Sequence, residues 1–156
     1  MTEKTTCSCG QNEAKRLIFP CAGQSNAGQL TNLAAIQLTE EGYGKIVCTS
    51  LLATGNKGIV KSAGNADEVV VLDGCPMSCA AKIAENQGVK VGQNIIVTEL
   101  GIAKGPSKSY TTDDIEKVVA ACWAGEGRSE EAEKKEKKDS DTKISECGCG
   151  CGRSCE

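Results

Sequence analysis

A single three-layer α/β domain with a mainly parallel sheet of about four strands is what this sequence predicts, and three observations carry that reading. Short apolar runs alternate with amphipathic helical stretches between Leu17 and Cys122, the order that builds a parallel sheet covered by helices. Cysteines close three of those runs at even spacing, with Cys48 midway in sequence between Cys21 and Cys75. That interval is close to the ~30 residues that a strand, a crossover and the next parallel strand occupy. Finally, only 3% of residues are aromatic, so the core is built from Val, Ile, Leu and Ala, as in a small sheet under Ala-rich helices.

Taken in order, Leu17 to Phe19 is the first strand, and Ser25 or Asn26 caps a helix that runs to about Glu41 and stops at Gly42. Leu30, Leu33, Ala34 and Leu38 line one side of that helix at helical spacing. Lys45 to Cys48 is a second strand, followed by a short helix around Gly58 to Ala63. Glu68 to Leu72 has the unbroken apolar character of a central parallel strand. Pro76 is expected at the first helical position, with the helix ending before Gly88. Asn94 to Thr98 is the fourth strand. Thr111 and Asp114 have the spacing of a capping box, and Ile115, Val118, Val119 and Cys122 share a face of the helix they open.

Composition limits the functional classes. The net charge is −3 and no basic block is interleaved with aromatics, which argues against a nucleic-acid partner. No apolar run approaches the ~20 residues of a membrane span, and the amino terminus lacks the apolar stretch of a signal peptide; the expected address is the cytoplasm. Four segments are expected: a polar leader over 1–14, an α/β metal-binding body over 15–124, a charged linker over 125–146 and a cysteine-rich tail over 147–156, the two ends disordered. Eleven cysteines and no histidine make sulfur the dominant chemistry. Without histidine there is no Ser-His or Cys-His nucleophile pair and no mixed Cys/His zinc site. In a reducing compartment such cysteine density favours metal or redox chemistry over disulfides.

In an open parallel sheet ligands gather outside the carboxyl ends of the strands, so Cys21, Cys48 and Cys75 are expected to share one rim. Cys79 follows Cys75 by one helical turn, and residues so spaced face the same way on a helix. Cys75 is expected to cap that helix and Asp73 to orient the site through a hydrogen bond. Four thiolates around zinc is the simplest chemistry such a set permits. The bland alternative is core packing, since free cysteine is often buried; Cys122, on the apolar face of the last helix, is read that way.

The segment Val69-Val-Val-Leu-Asp-Gly-Cys-Pro-Met-Ser-Cys-Ala-Ala-Lys82 resembles the Asp-Gly-Cys signature of the DGC-domain family, to which zinc binding is ascribed. Cys21-Ala-Gly-Gln-Ser-Asn-Ala-Gly-Gln29 is similar to its first cysteine loop, and Glu99-Leu-Gly-Ile-Ala-Lys104 to its closing segment. The likeness spans about residues 17 to 121 and implies four ligands, here Cys21, Cys48, Cys75 and Cys79. Gln24 stands where some relatives carry a further cysteine.

At the chain ends, Cys7 and Cys9, and Cys147, Cys149, Cys151 and Cys155 with alternating glycine, suit a second metal or redox cluster of soft ions, with iron–sulfur as the alternative to zinc. Nucleotide hydrolysis is disfavoured by Gln29 and Leu30, which follow Gly23-Gln-Ser-Asn-Ala-Gly28 where a phosphate-binding loop needs Lys and Ser or Thr. A phosphatase or arsenate reductase is disfavoured because Ala27 occupies the region of the anion-clamping arginine. The expected function is a cysteine-ligated zinc protein in metal or thiol handling, whose partners are the metal ion and another thiol protein. A thiol–disulfide oxidoreductase is the rival, with Cys75 attacking and Cys79 or Cys21 resolving.

Overall fold

A computed structural model describes residues 15–130. The terminal cysteines Cys7, Cys9, Cys147, Cys149, Cys151 and Cys155, the leader, and the tail lie outside those residues, as does the linker beyond residue 130. Four strands form one sheet, β1 (Arg16–Pro20), β2 (Lys45–Ile46), β3 (Glu68–Asp73) and β4 (Gln93–Ile96), in the order β2-β1-β3-β4. Every pairing is parallel, with Leu17 beside Lys45, Phe19 beside Val71 and Leu72 beside Ile95. The predicted α/β class and strand number are what the chain adopts.

Alternation along the strands divides the core into two layers. Ile18, Val70, Leu72 and Ile95 meet helices α1 (Asn26–Glu40) and α5 (Thr112–Ala124), packing on Leu30, Ala34, Leu38 and Val118. Leu17, Phe19, Val69 and Val71 meet the other layer, made by α2 (Thr49–Ala53), α3 (Lys57–Gly64) and α4 (Cys79–Asn86), through Leu52, Ala63, Ala80 and Ala84. A strand whose side chains point alternately to opposite faces can fill both layers only if both sets are apolar, as they are in β1 and β3.

Capping follows the sequence at both long helices. The Ser25 hydroxyl accepts from the Gly28 amide at the start of α1. Thr111 and Asp114 form the full reciprocal capping box of α5. Gly42, past the end of α1, has a φ of 79°, the left-handed conformation that stops a helix without a Cβ clash. Three expectations need correction. The second strand is only Lys45–Ile46, because the chain turns at Cys48 into the unforeseen helix α2. The fourth strand ends at Ile96 and passes into a 3₁₀ turn over Val97–Leu100. The helix expected from Pro76 begins at Cys79 instead.

Beyond α5 the first residues of the expected linker stay with the body. The Asn94 amide donates to the Gly127 carbonyl at 2.9 Å, and the Ser129 amide to Gly92 at 2.9 Å. The open edge of β4 is thereby covered, which removes a template for edge-to-edge association.

Candidate metal centre

Glycine contacts assemble the carboxyl edge of the sheet. A Cβ on Gly74 would stand 2.8 Å from the Gly28 amide nitrogen and 3.0 Å from the Ala27 carbonyl carbon. One on Gly28 would stand 2.6 Å from both the nitrogen and Cα of Gly23. The first turn of α1 therefore rests directly on the β3–α4 turn and on the Cys21 loop. This is the role of the two glycines whose spacing resembles a phosphate loop: they touch each other. The Cys21 amide extends the parallel ladder by donating to the Leu72 carbonyl at 2.8 Å, and the Thr49 hydroxyl ties the start of α2 to the Pro20 carbonyl at 2.7 Å.

Cys21, Cys48, Cys75 and Cys79 consequently follow strand ends or open helices on one edge. Cys21 is half-buried and closest to the core; Cys75 is half-exposed; Cys48 and Cys79 are exposed. Burial pushes the Cys21 thiol up, as does the negative charge of Asp73, while the backbone amides of Gly74 and Gly23 pull it down. The candidate ligands at this edge are thiols, a set that suits thiophilic ions. Among the described residues no group of three or more His, Cys, Asp or Glu is drawn together closely enough to hold a metal in this arrangement.

Asp73 holds the start of α4, where Cys79 is the first residue. Its carboxylate is fully buried and accepts from the Ala80 amide at 2.9 Å and the Ala81 amide at 3.1 Å. It caps α4 from a distance, satisfying amides that a helix start leaves unpaired. Ser78, in the usual cap position, makes no side-chain cap bond and sits at a φ of 48°. Cys75 is therefore not the cap. Its carbonyl accepts from the Ser78 amide in a turn, and Cys79 becomes the first helical residue. The two positive-φ residues other than glycine among the described residues are Ala22 and Ser78, each adjoining a candidate ligand. Such conformations cost on the order of 1 kcal/mol or more and concentrate at functional sites.

One site residue escaped the sequence reading. The Lys104 ammonium lies 3.6 Å from the Cys75 sulfur. Buried Asn26 positions it: the Asn26 side chain donates to the carbonyls of Ala103 at 2.9 Å and Ser109 at 2.8 Å, and accepts from the Gly105 amide at 2.7 Å. The segment carrying Lys104 is among those on which the family likeness rests, but no local spacing links it to Cys75. Cys122, by contrast, is where it was expected, fully buried beneath α5, with burial pushing its thiol up to about 12.

A small parallel sheet with a sulfur-bearing carboxyl edge, whose Asp-Gly-Cys turn is locked beneath the first helix, defines a cysteine-rich α/β protein. The DGC domain model matches residues 17–122, more than half of the chain, and the protein belongs to the DGC-domain family. It is similar to the "Anaerobic and virulence modulator AnvM" of Pseudomonas aeruginosa, 24% identical over 102 residues that cover 65% of this chain and 78% of that protein. No solved structure matches it. Among the described residues no helix is long and apolar enough to cross a membrane.

Proposed function

We propose that this is a cysteine-ligated zinc-binding protein that works in metal or thiol handling, with Cys21, Cys48, Cys75 and Cys79 supplying the sulfur. The observation that supports it is the strand order: β2, β1 and β3 are neighbours, so the three strand ends that lead into Cys48, Cys21 and Cys75 lie side by side. Zinc held there would be fixed by thiolates, as a structural or exchangeable ion. The test uses full-length protein, purified without oxygen, with Cys7, Cys9, Cys147, Cys149, Cys151 and Cys155 replaced by Ser. Elemental analysis should return about one zinc per chain, and chelation should expose four thiols to alkylation. Cys122 should stay unreactive in the folded protein with or without metal.

The ammonium of Lys104 against Cys75 supports a second reading, a thiol–disulfide oxidoreductase. Cys75 would attack a substrate disulfide, releasing one thiolate and forming a mixed disulfide that Cys79 or Cys21 resolves. A metal-free protein with one fast-reacting thiol would replace the zinc reading with this one. Visible absorbance with iron in the purified protein would replace both with an iron–sulfur carrier.

A further inference from the structure

The ammonium of Lys104, an exposed residue, lies 3.6 Å from the sulfur of half-exposed Cys75. Among the described residues no carboxylate pairs with it. The backbone beneath it is firmly fixed. Asn26, only 3% exposed, commits both ends of its side-chain amide to the loop over 103–109, and its backbone amide donates to the Gly105 carbonyl at 3.1 Å. The residues that follow Cys75, Pro76 and Met77, are exposed as well, so the sulfur and the cation face solvent together. Such a pair offers two points of contact to one incoming molecule: its sulfur meets Cys75 while an anion on the same molecule meets Lys104.

We propose that Cys75 forms mixed disulfides with small anionic disulfides, those carrying a carboxylate a few bonds from sulfur, and that Lys104 is the residue that selects them. This rests on the second reading of the edge, in which Cys75 attacks a disulfide, and names the substrate class of that step. The Cys75 thiolate attacks one sulfur of the small disulfide, whose S–S bond breaks as a new one forms to Cys75. The other half leaves as a thiolate and takes a proton from water. Cys75 is oxidised to the disulfide level, and the departing half, reduced to a thiol, carries the electrons away. Lys104 attracts an incoming carboxylate, has no such hold on a neutral disulfide and repels a cationic one.

The test uses metal-free, reduced, full-length protein in which Cys21, Cys48, Cys79 and the six terminal cysteines are replaced by Ser, leaving Cys75 and the fully buried Cys122. Cys75 is reacted with dithiodipropionate, a dianion, and with its neutral dimethyl ester, which has the same carbon chain. A variant that loses its fold is recognised because Cys122 then reacts too. If the Ser replacements themselves open the fold, the same two rates are read at Cys75 by peptide mass in protein with only the six terminal cysteines replaced. Lys104→Gln is expected to lower the ratio of the dianion rate to the ester rate by about fivefold, the scale of one contact attraction in water. Lys104→Arg should keep the ratio, and added salt should lower it in the parent but not in Lys104→Gln. A ratio unchanged in Lys104→Gln overturns the proposal. Equal slowing of both probes also overturns it, because Lys104 then acts on Cys75 and not on the incoming disulfide; the second reading survives either result. Failure of Cys75 to react with both probes in the folded parent removes that reading and the proposal together.

Discussion

At the amino edge of the sheet Glu68 receives Arg16 at 2.7 Å and Arg128 at 3.3 Å, the latter an ion pair without hydrogen-bond alignment. Arg16 also stacks over the Tyr43 ring, 4.8 Å from its centroid. The Tyr43 hydroxyl reaches Gln93, and fully buried Gln93 donates to the carbonyls of Cys122 at 3.1 Å and Glu126 at 2.8 Å. At the carboxyl edge the corresponding strand ends carry Cys21, Cys48 and Cys75, with backbone joined closely to backbone and sulfur left at or near the surface. One edge directs its polar groups at one another and closes. The other packs its backbone tightly and leaves its reactive atoms accessible, the arrangement expected of a site placed on a rigid scaffold.

The comparison can be broken first at Glu68. Glu68→Gln removes the carboxylate that two largely buried guanidinium groups share, and removing one partner of a buried ion pair is costly. The expected loss is about 3 kcal/mol, read as a lower urea midpoint at unchanged slope. Alkylation rates of the four edge thiols should not move. If those rates change while the protein remains folded, the two edges are coupled and the division between a closed and an open edge is wrong.

Gly74→Ala comes next, at the carboxyl edge. Its Cβ would meet backbone atoms of Ala27 and Gly28 at 2.8–3.0 Å, and backbone cannot yield as a flexible side chain does. Overpacking of this kind costs about 2 kcal/mol. Because the strain separates the Cys21 loop from the Cys75 turn, the proposed zinc site should lose metal as stability falls, in contrast to Glu68→Gln, where stability falls alone. Metal retention equal to that of the parent would show that this contact does not set the spacing of the sulfurs.

The difference between the edges also explains what could be read from sequence. Strand–helix alternation, the Ser25 and Thr111 caps and the inward face of α5 are local patterns, and each appears in the structure as expected. The placement of Cys21, Cys48 and Cys75 on one edge was equally legible, since parallel connectivity dictates it. The start of α4 was misread because its cap is a side chain seven residues upstream of the amide it accepts: Asp73 replaces the local residue, so Pro76 and Met77 remain outside the helix. Helix α2 was missed because Cys48 makes no side-chain cap bond to announce it. Lys104 depends on Asn26 gripping a loop some eighty positions away, and the Gly23–Gly28–Gly74 contact is equally remote. No spacing within a window reveals such tertiary contacts.

The smallest expected effect sharpens the comparison where α5 begins, next to the loop that carries Lys104. The Thr111 hydroxyl accepts from the Asp114 amide at 3.3 Å, and the Asp114 carboxylate accepts from the Thr111 amide at 2.9 Å. The hydrogen bonds from Thr111 hold the Asp114 carboxyl below its usual range. A carboxyl depressed in the folded state contributes stability that is complete above its unfolded value and is lost as pH falls through its folded one. Thr111→Ala should therefore lower stability at neutral pH, as the loss of a cap does. The deficit relative to the parent should shrink in acid as Asp114 is protonated in both proteins. The Lys104 loop is gripped by Asn26 rather than by this cap, so edge thiol reactivity should stay at the parent value. A stability deficit that persists unchanged into strong acid would show that the hydroxyl acts without Asp114. A shift in thiol reactivity would show that the helix start, and not Asn26 alone, holds the cation at the sulfur edge.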